Sequence, residues 1–269
     1  MLLRLAAQLL WPARCAACNA FVPEGVAFCE SCRLSVSELE QVCAGCGLPM
    51  PDLTWEPWEG SQTLPRWCAA GGAGGLPTRL SDASEGSSRC HGCRAKPLPF
   101  SRVWPALAYG GAATEAVLHL KHGRRRHLAR PLGALLAPAV GAAIDSGVDT
   151  LCPVPLHPRR LRQRGFNQAL EILRVAERLV RRPGARSRVV PDGLRRIHDT
   201  PALGWESPAS RRRIVAGAFA VHGPGWAEGR RILLVDDVMT TGATLAECTR
   251  VLLKDGAADV QVTALARVV

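Results

Sequence analysis

Tyrosine occurs once in the 269 residues, and aromatic side chains make up only 5% of them. Single-stranded nucleic acid is held largely by stacking on aromatic rings, so a dense stacking platform is excluded. Long apolar runs are missing too. The longest in the body, 132–144, has 13 residues and contains Pro138, whereas a membrane span needs about 18. It reads as a core helix, and no membrane span is expected. There is no P-loop pattern, no nucleophile elbow and no paired-histidine zinc-protease motif. Lysine is scarce, at Lys96, Lys121 and Lys254 alone, so arginine carries nearly all of the positive charge.

That charge is unevenly placed. Residues 1–100 hold 8 basic and 9 acidic residues, net −1, while 101–269 hold 26 and 14, net +12. A field of one sign on the later part suits an anionic partner such as a phosphate, a nucleotide or nucleic acid. A blander and weaker reading assigns part of the arginine excess to biased codon usage.

Cysteine is skewed the other way. Four Cys-x-x-Cys pairs precede residue 94: Cys15/Cys18, Cys29/Cys32, Cys43/Cys46 and Cys90/Cys93. Two residues between thiolates let one tight turn present both sulfurs to a tetrahedral ion. A disulfide framework would require an oxidising compartment. Residues 1–11 are apolar apart from Arg4 and Gln8, but no small-x-small cleavage site follows them. A reducing, cytoplasmic setting and structural zinc are therefore expected. Two four-cysteine sites in sequential order are the first reading, with crossed pairing or a single zinc as alternatives. Glycine and serine runs between the third and fourth pairs predict a flexible insertion at about 50–88. Cys68, inside it, has no evident partner.

The texture changes after residue 100. Residues 1–100 read as a cysteine-rich zinc-ribbon region and 101–269 as an α/β domain. Helices are predicted over 112–120, 128–144, 166–182 and 243–255, and strands over 150–154, 231–235 and 260–265. Such alternation implies a doubly wound, mostly parallel sheet covered on both faces, with ligands at the carboxyl ends of its strands.

One such end carries the densest chemistry. Residues 233–244 read LLVDDVMTTGAT. An apolar strand meets Asp236 and Asp237, then a turn of small and hydroxyl residues (Thr240, Thr241, Gly242, Ala243, Thr244), then a helix. Free N–H groups at a helix N-terminus cradle anions. Two carboxylates beside such a cradle suit ribose hydroxyls or a divalent cation, so ribose next to phosphate is the ligand that fits. Residues 152–169, CPVPLHPRRLRQRGFNQA, follow another predicted strand. Arg159, Arg160, Arg162 and Arg164 there can grip phosphate in bidentate fashion, or simply form a solvated basic helix start. His119, His122 and His127 read as a basic patch before a metal site. Cys152 and Cys248 read as small buried hydrophobes.

The Asp–Asp–x–x–Thr–Thr–Gly–x–Thr loop resembles the signature of type I phosphoribosyltransferases. The PVPLHP…RGFNQ string, residues 118–121 and the leading cysteine pairs are similar to the ComF family of phosphoribosyltransferase-like proteins. The resemblance implies that phosphoribosyl pyrophosphate and Mg²⁺ bind here. Asp236, Asp237 and residues 240–244 would hold ribose and its phosphate, and Arg159, Arg160, Arg164 and Lys121 the pyrophosphate. Asp236, Asp237 and Arg159 would carry the transfer step. Residues 195–219 correspond to the family's hood, with Leu203 and Ile214 standing where glutamine and asparagine are usual. Three functions follow: a transferase with an unknown acceptor, a factor handling single-stranded DNA in natural transformation beside a helicase partner, or a non-catalytic sensor of the pyrophosphate donor.

Overall fold

The computed structural model describes residues 12–39, 41–50, 89–122, 125–184, 187–201 and 207–269. Residues 1–11, most of the predicted insertion at 50–88 with Cys68, Arg124, Leu203 and Trp205 lie outside them.

Two short helices belong to the cysteine region, α1 (Glu30–Arg33) and α2 (His91–Ala95). The α/β part runs β1 (Val103–Ala108), α3 (Gly111–His122), α4 (Ala129–Asp145), β2 (Thr150–Pro153), α5 (Pro158–Arg164) and α6 (Gln168–Val180). It continues with β3 (Arg188–Val189), β4 (Leu194–Arg196), α7 (Pro208–Val215), β5 (Phe219–Val221), β6 (Arg231–Met239), α8 (Ala243–Lys254) and β7 (Asp259–Arg267). The main sheet has the order β1-β7-β6-β2-β3 with every pair parallel. Strands β4 and β5 form a separate antiparallel pair.

Each predicted helix and strand is present. The main difference is β6, which runs to Met239 instead of stopping at Val235. Pairing with β7 continues through Asp236↔Ala264 and Met239↔Arg267, so the neighbouring strand carries the acids onward. β1 has no counterpart among the predicted strands, because Pro105 and the half-buried pattern hide its alternation.

Strand alternation divides the core in two. Leu233 and Val235 face α3, α4 and α6, while Ile232 and Leu234 face α8 and the β4–β5 pair. The apolar helix α4 places Leu132, Leu136 and Val140 fully inside, each worth about 1.5–3 kcal/mol of burial. Pro138 stays on its exposed side, so the break costs no core contact. With the turn before it, this stretch is the one among the described residues long and apolar enough to cross a membrane; here it packs against α6, β1 and β7. Gly133 permits the closest approach: a Cβ there would lie 2.6 Å from the Ile172 carbonyl oxygen on α6.

Because β2 leads through α6 to β3 on one side, and β6 leads through α8 to β7 on the other, the chain diverges between β2 and β6. A crevice forms at such a point beyond the carboxyl ends of the strands.

Candidate functional site

Both flanks of that crevice carry the residues singled out above. After β6, Gly242 takes φ +73° and caps the start of α8. That left-handed conformation suits glycine, and a Cβ would also lie 2.9 Å from Met239 Cε. The first N–H groups of α8 therefore open toward Thr240, Thr241 and Thr244. A small cavity of about 20 Å³ is lined by Asp236, Thr240, Gly242, Ala243 and Thr244.

The two acids do not form a side-by-side pair. Lying within β6, they project to opposite faces. Asp237, 8% exposed, meets Lys121 Nζ of α3 at 2.9 Å. Asp236 accepts a hydrogen bond from the Asp237 N–H at 2.8 Å. Burial, and then the charge of Asp237, push the Asp236 carboxyl up to about 7; Lys121 and Arg196 act against that shift.

After β2, the four arginines lie on a helix, α5, with Pro158 at its start and the His157 ring accepting the Arg159 N–H at 3.3 Å. Helical spacing separates the arginines. Arg160 and Arg164 turn inward, whereas Arg159 and Arg162 are exposed. Arg160 donates to the Thr200 carbonyl at 2.5 Å and lies 3.8 Å from Asp199. Burial lowers the Arg164 pKa, and the nearby Asp237 and Asp236 oppose that. Arg159 reaches Asp199 at only 3.5 Å. Asn167, capping α6, ties the segment down by donating to the Val154 carbonyl at 2.9 Å.

The β4–β5 pair and α7 supply further contacts. Arg196 is the half-buried one of its pair, donating to Thr200 Oγ1 and lying over the Phe219 ring, while Arg195 turns out to His222. Arg211 Nη1 donates to Thr240 Oγ1 at 2.5 Å, joining α7 to the loop. Ile214 is half-buried on α7. Arg267, which no motif covers, reaches the same loop from the end of β7. A lone charge in the apolar run VTALARVV was its one signal.

The cysteines gather in sequential order. Sγ atoms of Cys15, Cys18, Cys29 and Cys32 lie within 4.8 Å of one another, as do those of Cys43, Cys46, Cys90 and Cys93. Four thiolates about 2.3 Å from one ion stand about 3.8 Å apart in a tetrahedron. Cys18–Cys29 at 3.6 Å and Cys46–Cys90 at 3.8 Å match. Both sets fit structural zinc, and neither leaves an open position. Among the described residues no histidine joins a metal-type cluster; His119 Nδ1 instead lies 2.9 Å from the Ala16 carbonyl oxygen of the first cysteine turn. Cys152 and Cys248 are fully buried, and burial pushes the Cys152 thiol up to about 12. Arg126 is engaged by Glu171 through bonds of 2.8 and 2.9 Å.

Parallel sheet, divergent crevice, acidic strand end and glycine-capped helix define a phosphoribosyltransferase-like α/β fold joined to paired four-cysteine sites. A double zinc ribbon domain family matches residues 6–70. The DNA utilization protein YhgH of Escherichia coli O6:H1 is 34% identical over 182 residues, covering 66% of this chain and 77% of that protein. Competence protein F of Haemophilus influenzae is 34% identical over 120 residues, 44% of this chain and 50% of that one. The chain belongs to the ComF family. Among solved structures, a phosphoribosylpyrophosphate synthetase from Mycobacterium smegmatis aligns at 21% identity and TM-score 0.27, over 49% of this chain and 33% of that one.

Proposed function

We propose that the crevice binds phosphoribosyl pyrophosphate with Mg²⁺ and that residues 101–269 transfer its phosphoribosyl group to an acceptor, while residues 1–100 serve as the zinc-bound support. One observation carries this reading: the glycine-capped start of α8 and the inward arginines of α5 follow neighbouring strands at the point where the chain diverges.

The roles follow from placement. N–H groups of residues 241–244, with the threonine hydroxyls, receive the 5-phosphate. Asp236, which lines the cavity, accepts hydrogen bonds from ribose hydroxyls, while Asp237 on the opposite face keeps Lys121 beside it; hard carboxylate oxygens also suit Mg²⁺, which would neutralise leaving-group charge. Lys121 holds Asp237 in place and contributes charge beside the pyrophosphate rather than a free ammonium. Arg160 and Arg164 face the leaving pyrophosphate, with Arg159 at the rim. In the transfer, the bond from the anomeric carbon to a pyrophosphate oxygen breaks as a bond to the acceptor forms. Preorganised positive charge at the leaving oxygens lowers that barrier.

Calorimetry with phosphoribosyl pyrophosphate and Mg²⁺ tests the binding. Wild type should bind, and Asp236→Ala, Asp237→Ala and Thr241→Ala should each weaken it, by about 1.5–3 kcal/mol for Asp236. Absence of binding by wild type at millimolar ligand overturns the reading. Pyrophosphate released together with a new ribosyl product separates a transferase from a sensor.

A second reading draws on the names of the relatives, DNA utilization and competence, and on the net +12 of residues 101–269. Here the protein, cytoplasmic like its reduced thiols, handles single-stranded DNA beside a DNA-uptake helicase. Its binding should weaken with salt, with a log–log slope of about −0.7 per neutralised phosphate. An affinity that ignores salt removes it.

A further inference from the structure

Arg267 joins the second cysteine cluster to the loop after β6. It is 5% exposed at the end of β7. Its Nε donates to the Cys46 carbonyl oxygen at 2.8 Å. Its Nη1 donates to the Met239 carbonyl at 3.3 Å and to the carbonyls of Thr240 and Val268. One planar guanidinium thus fixes a cluster turn and the first residue of the loop together. No carboxylate stands within salt-bridge distance of it among the described residues. Four thiolates around a divalent ion carry net negative charge, and a buried cation is costly without such a counter-charge.

A second connection runs alongside. Leu98, five residues after Cys93, packs against Cys43, Cys46 and Cys93. It also reaches under the loop, where a Cβ on Gly242 would lie 3.8 Å from Leu98 Cδ1 and from Phe100 Cζ. The backbone closes the contact, with the Val103 N–H donating to the Ala44 carbonyl at 2.8 Å.

We infer that Arg267 is a positioning residue that ties the loop at 240–244 to the second cysteine cluster, so that metal in that cluster and a sugar phosphate in the loop favour each other. This rests on the reading of the loop as a ribose-phosphate site. Two sites biasing one shared element are coupled reciprocally. Zinc in Cys43/Cys46/Cys90/Cys93 holds Arg267, and Arg267 holds the Thr240 carbonyl and the entry to α8. A bound anion in turn rigidifies the loop, and with it the Cys46 turn.

The full zinc-loaded chain tests this with ribose 5-phosphate as the probe. Calorimetry gives its affinity, and a colorimetric chelator gives zinc release with and without it. Alkylation of freed thiols, read by mass spectrometry, assigns each release to a cluster. Ribose 5-phosphate should slow release from the second cluster about fivefold or more and leave the first unchanged. Arg267→Gln should still load two zinc ions, bind the sugar phosphate about tenfold more weakly, and lose the effect on release. Wild type that binds ribose 5-phosphate with no change in release from the second cluster overturns the inference while sparing the ligand site. So does Arg267→Gln with the coupling intact. Wild type that does not bind the probe overturns the ligand reading, and this one with it. The wild-type release experiment decides the matter even if Arg267→Gln does not fold.

Discussion

Asp236 carries the most informative chemistry of any single residue in the crevice. Its carboxyl, pushed up to about 7 first by burial and then by Asp237, holds its proton more tightly when folded than when unfolded. The folded state therefore binds the extra proton, and stability falls as pH rises from about 4 toward 7. Asp236→Asn should flatten that fall, which urea denaturation across the pH range measures. A ribose hydroxyl needs an accepting carboxylate, so affinity for ribose 5-phosphate should rise through the same window in wild type. Lys121→Met, which removes a charge favouring ionisation, should move the rise to higher pH. The motif names both acids. What it does not contain is their separation onto two sheet faces, because that depends on how far pairing with β7 carries β6. Arg267 is hidden for a similar reason: it contributes through contacts across about 27–28 positions of chain.

Among the elements, α5 is a helix with no counterpart among the predicted ones. Pro158 starts the helix and Gly165, at φ +83°, ends it, a signature of proline at the start and glycine past the end. The helix decides which arginines face the crevice, and composition alone treats them as equals. The predicted helices were legible because their apolar residues recur at helical spacing, as along α6 at Ile172, Leu173 and Ala176. The strands β3, β4 and β5 were not, since two or three residues carry no period. Helix packing supplies a test. Gly133→Ala should place a methyl group against the Ile172 carbonyl and Val175. The gain in helix propensity is about 1 kcal/mol, and overpacking a dense contact costs about 1–3 kcal/mol. A lower urea midpoint is expected, and an unchanged one would mean that α4 and α6 can part freely.

At the scale of the molecule, the cysteine region is not an appendage. Cys15, Ala16 and Phe28 share one core with Leu120, Leu128 and Leu132, and the Ser35 hydroxyl accepts the Ala112 N–H at 3.1 Å. Cys15→Ser should remove about one zinc ion per chain, lower the melting temperature and raise amide exchange in α3. Exchange in α8, on the other face of the sheet, should stay near wild type. The spacing of the cysteines announces the clusters; it says nothing of the packing, because that depends on side chains from helices about 100 positions later, as at His119 and Ala16.

Strand β1 stands at the sheet edge with β7, the last strand of the chain, as its neighbour. Along its outer side, the Ala108 N–H donates to the Ser37 carbonyl and the Leu39 N–H to the Ala106 carbonyl. During synthesis β1 leaves the ribosome long before β7 exists, and a bare strand edge at that stage invites other chains. The 37–39 segment is made earlier still, so a partner is already waiting when β1 emerges. The protein thus carries, ahead of its sheet, a splint for the strand whose permanent mate arrives last.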